Sequence, residues 1–395
     1  MTETADVVIV GGGLEGAAAA WSLTQRGVGR IVVLERHTVA SGGTGKSSGI
    51  VRCHYGVASL AAMAWAGVRF FEQAEAILGA DIGFHPSGYV VGVGACDVDA
   101  LTANVGIQQA LGIPVDLIDR AAVAQMWPVA RLDDFAAFAY EPRGGYGDGY
   151  QTAQAFAAAA RRAGVTVRQN STVVQLLGDD DGVRGVRLAT GEEVHAPTGV
   201  VAAGPWSVAL LRPLGLDLPV RAMREEVLMV DPGVPLLPMP VFSDLVSLQY
   251  VRPEPAGEIL FGNSDLSVPE WTDPDTYSNT VGTAGLERAV EKMADRFPGL
   301  PNASITSGYA GCYDITPDFN PVISRTDLDG LVVAAGFSGH GFKIAPAVGT
   351  LIADLVCDGR SSQPDIPESD FRLARFAEGA LLRSPHPYLG AGQMR

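Results

Sequence analysis

Basic residues are scarce in this chain of 395 residues: 28 lysines and arginines stand against 44 aspartates and glutamates, a net charge of −16. That surplus repels a polyanion, so nucleic acid is excluded as a partner. Charged residues of both signs reach only 18% while apolar residues make up 47%, too little charge and too much core material for a disordered chain. Cysteines are few, at 53, 96, 312 and 357, with no CxxC pair. Neither a zinc site nor a secreted disulfide framework is encoded; no metal is expected, and a reducing cytoplasm is the expected compartment. Long hydrophobic runs are missing too, none reaching the roughly 18 residues of a membrane span. The short apolar run in MTETADVVIV follows acidic residues, which suits a buried strand and not a signal peptide. These absences leave a soluble protein, expected to have two domains and no membrane partner, with nothing that sets its oligomeric state.

Glycine, by contrast, is abundant at 48 residues, which implies tight turns and backbone in close approach to a ligand. The apolar run over 6–10 leads into Gly11-Gly12-Gly13-Leu14-Glu15-Gly16, an Ala-rich helical stretch to Arg26, and a second strand over 31–34 ending at Glu35 and Arg36. This is a βαβ unit with a dinucleotide fingerprint: Gly11 permits the turn, Gly13 admits a pyrophosphate, and Gly16 lets helix and sheet pack closely. The phosphates sit on the helix N-terminus, at Leu14 and Glu15. Glu35, 19 positions after Gly16, is placed to accept hydrogen bonds from the adenosine ribose.

A longer dinucleotide than NAD needs further contacts, and the chain offers them. Val173, the buried strand over 200–203 and the following Ala203, Gly204 and Trp206 suit the adenosine half, with Trp206 expected to pack in the core. Thr44, Gly45, Lys46, Ser47 and Ser48 form a polar glycine loop. Gly336-Phe337-Ser338-Gly339-His340-Gly341-Phe342-Lys343 opens a helix whose positive end would face a flavin's N1/C2 carbonyl and stabilise its reduced anion. With no second GxGxxG unit to hold NAD(P)H, the electrons are expected to come from an organic substrate, and the cofactor to be FAD.

Helices are expected over 61–78, 151–163, 285–297 and 343–357. Strands are expected over 84–92, 246–251, 258–261 and 331–335, with a β-meander over 165–201 turning at Asp179-Asp180-Asp181-Gly182. The fold class that follows is α/β: a Rossmann-type FAD-binding domain from 1–82, 146–219 and 305–395, with an inserted, mainly antiparallel β substrate domain from 83–145 and 220–304.

The motifs GFSGHGFK at 336–343, IVRCHYG at 50–56, YDITPD at 313–318 and SGGTGKSSGIVR at 41–52 resemble those of the D-amino acid oxidase superfamily, in its sarcosine oxidase branch. The resemblance covers almost the whole chain. It implies two-electron oxidation of the C–N bond of a small amine or amino acid by hydride transfer to flavin N5, with O2 or another acceptor taking the electrons. It places Arg52 and Lys343 on the substrate carboxylate, a role that a bidentate guanidinium and a point charge suit. His340 falls beside the flavin, His54, Tyr250 and Lys46 being further candidates. Three departures stand out. Gly311 occupies the position of the cysteine that attaches FAD in the monomeric enzymes, and Cys312, one residue on, is expected to face the other way, so FAD is expected to be non-covalent. The segment 146–151 lacks the histidine that would carry a second flavin, and Leu260 replaces a lysine that activates oxygen. A D-amino acid or 2-hydroxy acid dehydrogenase and a non-catalytic FAD-binding assembly protein are the alternative readings.

Overall fold

Val7–Val10 and Ile31–Leu34 are β-branched or leucine throughout and buried at every position, as central parallel strands covered on both faces require. They lie within a six-stranded sheet of order Val322–Arg325, Leu331–Ala335, Thr198–Val201, Val7–Val10, Ile31–Leu34, Thr166–Arg168, parallel except for its first strand. The computed structural model describes residues 3–179 and 182–389. The crossover helix Leu14–Gln25 buries four successive alanines, Ala17 to Ala20. Their small side chains let Gly341–Cys357 approach so closely that a Cβ on Gly349 would lie 2.7 Å from the Ala18 carbonyl oxygen.

The second large sheet has eight strands, in the order Ser304–Ile315, Arg221–Asp231, Ile259–Asn263, Gln249–Pro253, Val241–Asp244, Tyr89–Val93, Ala137–Glu141, Asp116–Ile118. All its pairs are antiparallel except Val241–Asp244 with Tyr89–Val93. One face is backed by Thr283–Arg296 through Ala289, Phe261 and Leu228. The other carries Tyr89, Val227, Tyr250 and Leu260 against Ile50 and Tyr146. The site lies on that second face.

Several expected elements shift. The segment 165–201 is not one meander: Thr166–Arg168 and Thr198–Val201 join the parallel sheet, and only the strands between them form a separate sheet with Glu3–Thr4. Of its expected turn, Asp180 and Asp181 lie outside the described residues. The helix over 61–78 is two, Ala58–Phe71 and Ala74–Leu78. The strand over 246–251 starts only at Gln249, because the Asp244 carboxylate accepts from the Val246 and Ser247 N–H groups at 2.9 Å each and holds a turn there. The strand over 84–92 starts at Tyr89, preceded by a lone bridge from His85 to Tyr146. Ser304–Ile315, placed by sequence on the nucleotide side of a boundary at 304/305, pairs along its length with Arg221–Asp231 in the eight-stranded sheet. No helix among the described residues is long and apolar enough to cross a membrane.

Candidate cofactor and substrate site

A cavity of about 620 Å³ follows the glycine turn: Glu35 and Arg36, Gly11 and Gly13, then Phe337 and Phe342 all line it. Two glycines of the turn admit no side chain. Gly11 has φ +109°, and a Cβ there would overlap the Ala202 carbonyl oxygen, while a Cβ on Gly16 would overlap the carbonyl oxygen of Gly11. Gly13 caps Leu14–Gln25 without a side-chain partner, and the Leu14 N–H donates to Thr44 Oγ1 at 3.0 Å. Glu35 is oriented by the N–H groups of Gly12 and His37, 2.8 Å from its two oxygens. A long groove with backbone at its floor, a helix N-terminus along it and an acid at the ribose position fits FAD.

Thr44, Lys46, Ser47, Val173, Ala203, Gly204, Gly339 and Gly341 join the lining, as expected from sequence. Gly16, Gly45, Ser48, Gly311, Gly336, His340 and Lys343 do not line it. Gly16 and Gly336 serve packing, a Cβ on Gly336 overlapping Thr316. Trp206 is not in the core: Gly204, at φ +54°, turns the chain out of the buried strand into a short 3-10 turn, and the half-buried indole lines the cavity. Its Nε1 donates to Asp275 at 2.8 Å, and Arg36, which binds the same carboxylate at 2.8 Å, stacks 4.4 Å over the ring.

Sequence reasoning missed Asp275, Tyr277 and Asn279, which line the cavity from a segment far along the chain. They carry no motif; only the inserted sheet brings them over the groove. Lys46 donates to the Tyr277 hydroxyl at 2.7 Å and to Asn279 Oδ1, so it is a tethered cation in the cavity wall. A Cβ on Gly311 would lie 3.2 Å from Lys46 Cβ. Cys312 also lines the cavity, while its register partner is Arg224, on the face opposite to the Glu225–Gly311 pair, as strand alternation expects. Burial pushes its thiol up to about 11, away from the reactive thiolate.

Arg52 and Lys343 meet in a buried cluster. Tyr55 joins them: the Arg52 guanidinium lies 4.2 Å over its ring, and Lys343 Nζ donates to its hydroxyl at 3.2 Å. The same hydroxyl is 3.0 Å from His340 Nδ1. Arg52 also donates to the His54 carbonyl. The His54 ring itself shares hydrogen bonds with Tyr388 Oη at 2.6 Å and Gln108 Nε2 at 3.1 Å, which pin it in the packing. The strand there is only Ile50–Val51, so the alternation that would align His54 with Arg52 stops before either. Tyr250 lies on the eight-stranded sheet, its ring filling the place of a Gly262 side chain and its hydroxyl hydrogen-bonded with Ser48 and Tyr313.

Burial raises three carboxyls here: Glu15 and Glu141 to about 7 and Asp314 to about 6. For Glu141 the Cys53 N–H, Arg52 and Lys343 offset part of the rise; for Asp314 the N–H groups of Gly336 to Ser338 do. Folded pKa values above the unfolded ones mean that the native state binds more protons, so stability is lost as pH rises from about 4 through 7. Thermal melting at pH 5.5 and pH 8 checks this: a lower melting temperature at pH 8 is expected, and the reverse order would mean that these carboxyls are ionised without cost.

The sequence model of a family described as FAD dependent oxidoreductase matches residues 6–355. The chain is 28% identical over 388 residues to sarcosine oxidase subunit beta of Arthrobacter sp, covering 95% of this chain and 92% of that one. It is 27% identical over 386 residues to glycine oxidase of Geobacillus kaustophilus, covering 95% and 97%. Its fold is similar to that of L-proline dehydrogenase from P. horikoshii, with TM-score 0.87 and 25% identity over 96% of this chain and 99% of that one.

Proposed function

This chain belongs to the FAD dependent oxidoreductase family, and from that membership we propose that it oxidises the C–N bond of an amino acid or secondary amine bearing a carboxylate. The observation that carries the substrate class is the buried pair of cations, Arg52 and Lys343, joined through Tyr55. Both are at most 5% exposed, and among the described residues Arg52 has no carboxylate within ion-pair distance. A substrate carboxylate supplies what desolvation has removed. FAD, when bound, accepts the hydride from the carbon beside the nitrogen. The protein's part is to fix that carbon: Arg52 and Lys343 hold the carboxylate, Tyr55 holds the cations and His340 holds Tyr55, and the closed packing around them excludes water. The sarcosine oxidase subunit and glycine oxidase among the relatives support amine oxidation. The four cysteines are free thiols, which supports a reducing compartment.

The test is anaerobic mixing with N-methylglycine, L-proline, L-pipecolate, D-alanine and 2-hydroxypropanoate, read at the flavin's visible band. Bleaching by an amine and not by the hydroxy acid is the expected result; bleaching by the hydroxy acid alone would move the reaction to C–O bonds. FAD is held without a covalent bond, since Gly311 offers no sulfur and Cys312 is a protonated thiol. Acid precipitation is therefore expected to leave a colourless pellet, and flavin retained in the washed pellet would contradict this.

A further inference from the structure

Glu225 lies on the sheet face that carries Tyr250 and Tyr313, with no side-chain partner of its own among the described residues. It sits directly opposite Gly311 in the pairing of Arg221–Asp231 with Ser304–Ile315, and directly opposed residues point to one face. The open side of Gly311 looks onto Lys46, so the half-buried Glu225 shares the face that meets the cofactor loop. Burial raises the phenols of Tyr250 and Tyr313, and Glu225 lies close enough to both that its charge adds to the rise. Its neighbour Glu226 points to the opposite face and is engaged through Oε1, with Arg224 at 2.8 Å and the Gly282 N–H at 2.8 Å. For Glu225 itself no hydrogen bond or ion pair exists among the described residues; Arg288 and Arg224 act on it only at longer range.

An acid left half-buried without a cation is costly unless a ligand brings one. The substrate class proposed above does so at its protonated nitrogen. Resting on that reading, we propose that Glu225 binds the substrate's ammonium group and takes its proton. The N–H bond breaks, an O–H bond forms on the carboxylate, and the electron pair stays on nitrogen, where it assists departure of the hydride from the adjacent carbon. Tyr250, hydrogen-bonded with Tyr313 and Ser48, lies beside this path. The charged and titratable groups around Glu225 are Arg224, Glu226, Glu270 and Arg288, the two phenols, and Lys46 across the face. Burial holds the free Glu225 carboxyl at about 8, so it is ready to ionise as a cation arrives.

The experiment is the pH dependence of anaerobic flavin reduction in the FAD-loaded enzyme, with the fastest amine of the panel, at low substrate. In the wild type the rate is expected to rise tenfold per unit and level off near pH 8. Glu225→Gln should lower it at least tenfold at pH 8 and move the limb toward the substrate nitrogen's own pKa, about 10. Glu225→His should restore a limb near about 6.5, and Glu226→Gln, which removes one of the charges that raise Glu225, should keep the limb but move it below 8. A Glu225→Gln enzyme that keeps its FAD and its limb overturns the assignment alone, as does a Glu225→His enzyme indistinguishable from Glu225→Gln. Absence of reduction by every amine overturns the functional reading itself, and the assignment with it.

Discussion

Gly11→Ala is expected to destroy FAD binding and to cost the fold about 3 to 5 kcal/mol, the sum of backbone strain and overpacking. Alanine is strained at φ +109°, and its Cβ would overlap the Ala202 carbonyl oxygen, which is fixed because the Ala202 N–H donates to Val10 at 2.8 Å. The obstacle is backbone on both sides and has no rotamer to escape into. Separating the strands Val7–Val10 and Thr198–Val201 would relieve it only by breaking the centre of the parallel sheet. Bound flavin per chain and denaturant midpoints report the two effects. A Gly11→Ala protein that purifies yellow with an unchanged midpoint would show that the turn relaxes at little cost.

Arg52→Ala is expected to weaken carboxylate ligands by about 2 to 5 kcal/mol while FAD stays bound. Arg52 lies outside the cofactor cavity, so the flavin should not sense its loss directly. Glu141 should sense it: Arg52 is one of the cations holding its raised pKa down, and without it this buried carboxyl climbs further above 7. Lys343 remains but is a point charge without the planar fork, so it cannot replace the guanidinium. Titration with N-methylglycine and with an amine lacking a carboxylate separates the outcomes. Equal loss for both ligands would make Arg52 a packing residue.

The nucleotide half of the site was legible because it is local. Gly11 to Gly16, Glu35 and the loop from Gly336 are contiguous motifs whose spacing follows from a turn and a helix start, and Gly11, Gly13, Glu35, Phe337, Gly339 and Gly341 line the cavity while Gly16 and Gly336 lie behind it in the packing. Arg52 and Lys343 were found only through motifs resembling those of known enzymes; nothing in the residues alone says that Tyr55 joins them. Long-range pairing hid the rest. Trp206 reads as core because it follows a buried strand, yet Gly204 turns it outward. His54 reads as a neighbour of Arg52, yet Tyr388, from the far end of the chain, takes its ring. Glu225 gave no signal at all: in the run Arg224-Glu225-Glu226 every residue looks like a solvated strand edge, and only the register against Gly311 separates the engaged acid from the unpartnered one.

The acceptor follows from the same geometry. Leu260 is 1% exposed in an apolar cluster with Val227 and Tyr250 and supplies no charge for developing superoxide. Lys46 is tethered to Tyr277 and Asn279. Slow reoxidation by air and faster turnover with an acceptor dye are therefore expected, and stopped-flow reoxidation of the dithionite-reduced enzyme measures it. A fast oxygen reaction that survives Lys46→Met would mean that another group carries the charge.

The most direct measurement compares anaerobic flavin reduction by an amino acid with reduction by its own carboxamide, choosing the amino acid that bleaches the flavin fastest. The two share the C–N bond and, compared at a pH below about 7 where both nitrogens are protonated, differ in the charge that Arg52 and Lys343 are proposed to hold. The expected result is rapid bleaching by the acid and at least about 30-fold less efficient bleaching by the amide, the factor that about 2 kcal/mol of lost carboxylate binding implies. Equal reduction by acid and amide, or bleaching by neither, would contradict a carboxylate-anchored C–N oxidation at this site.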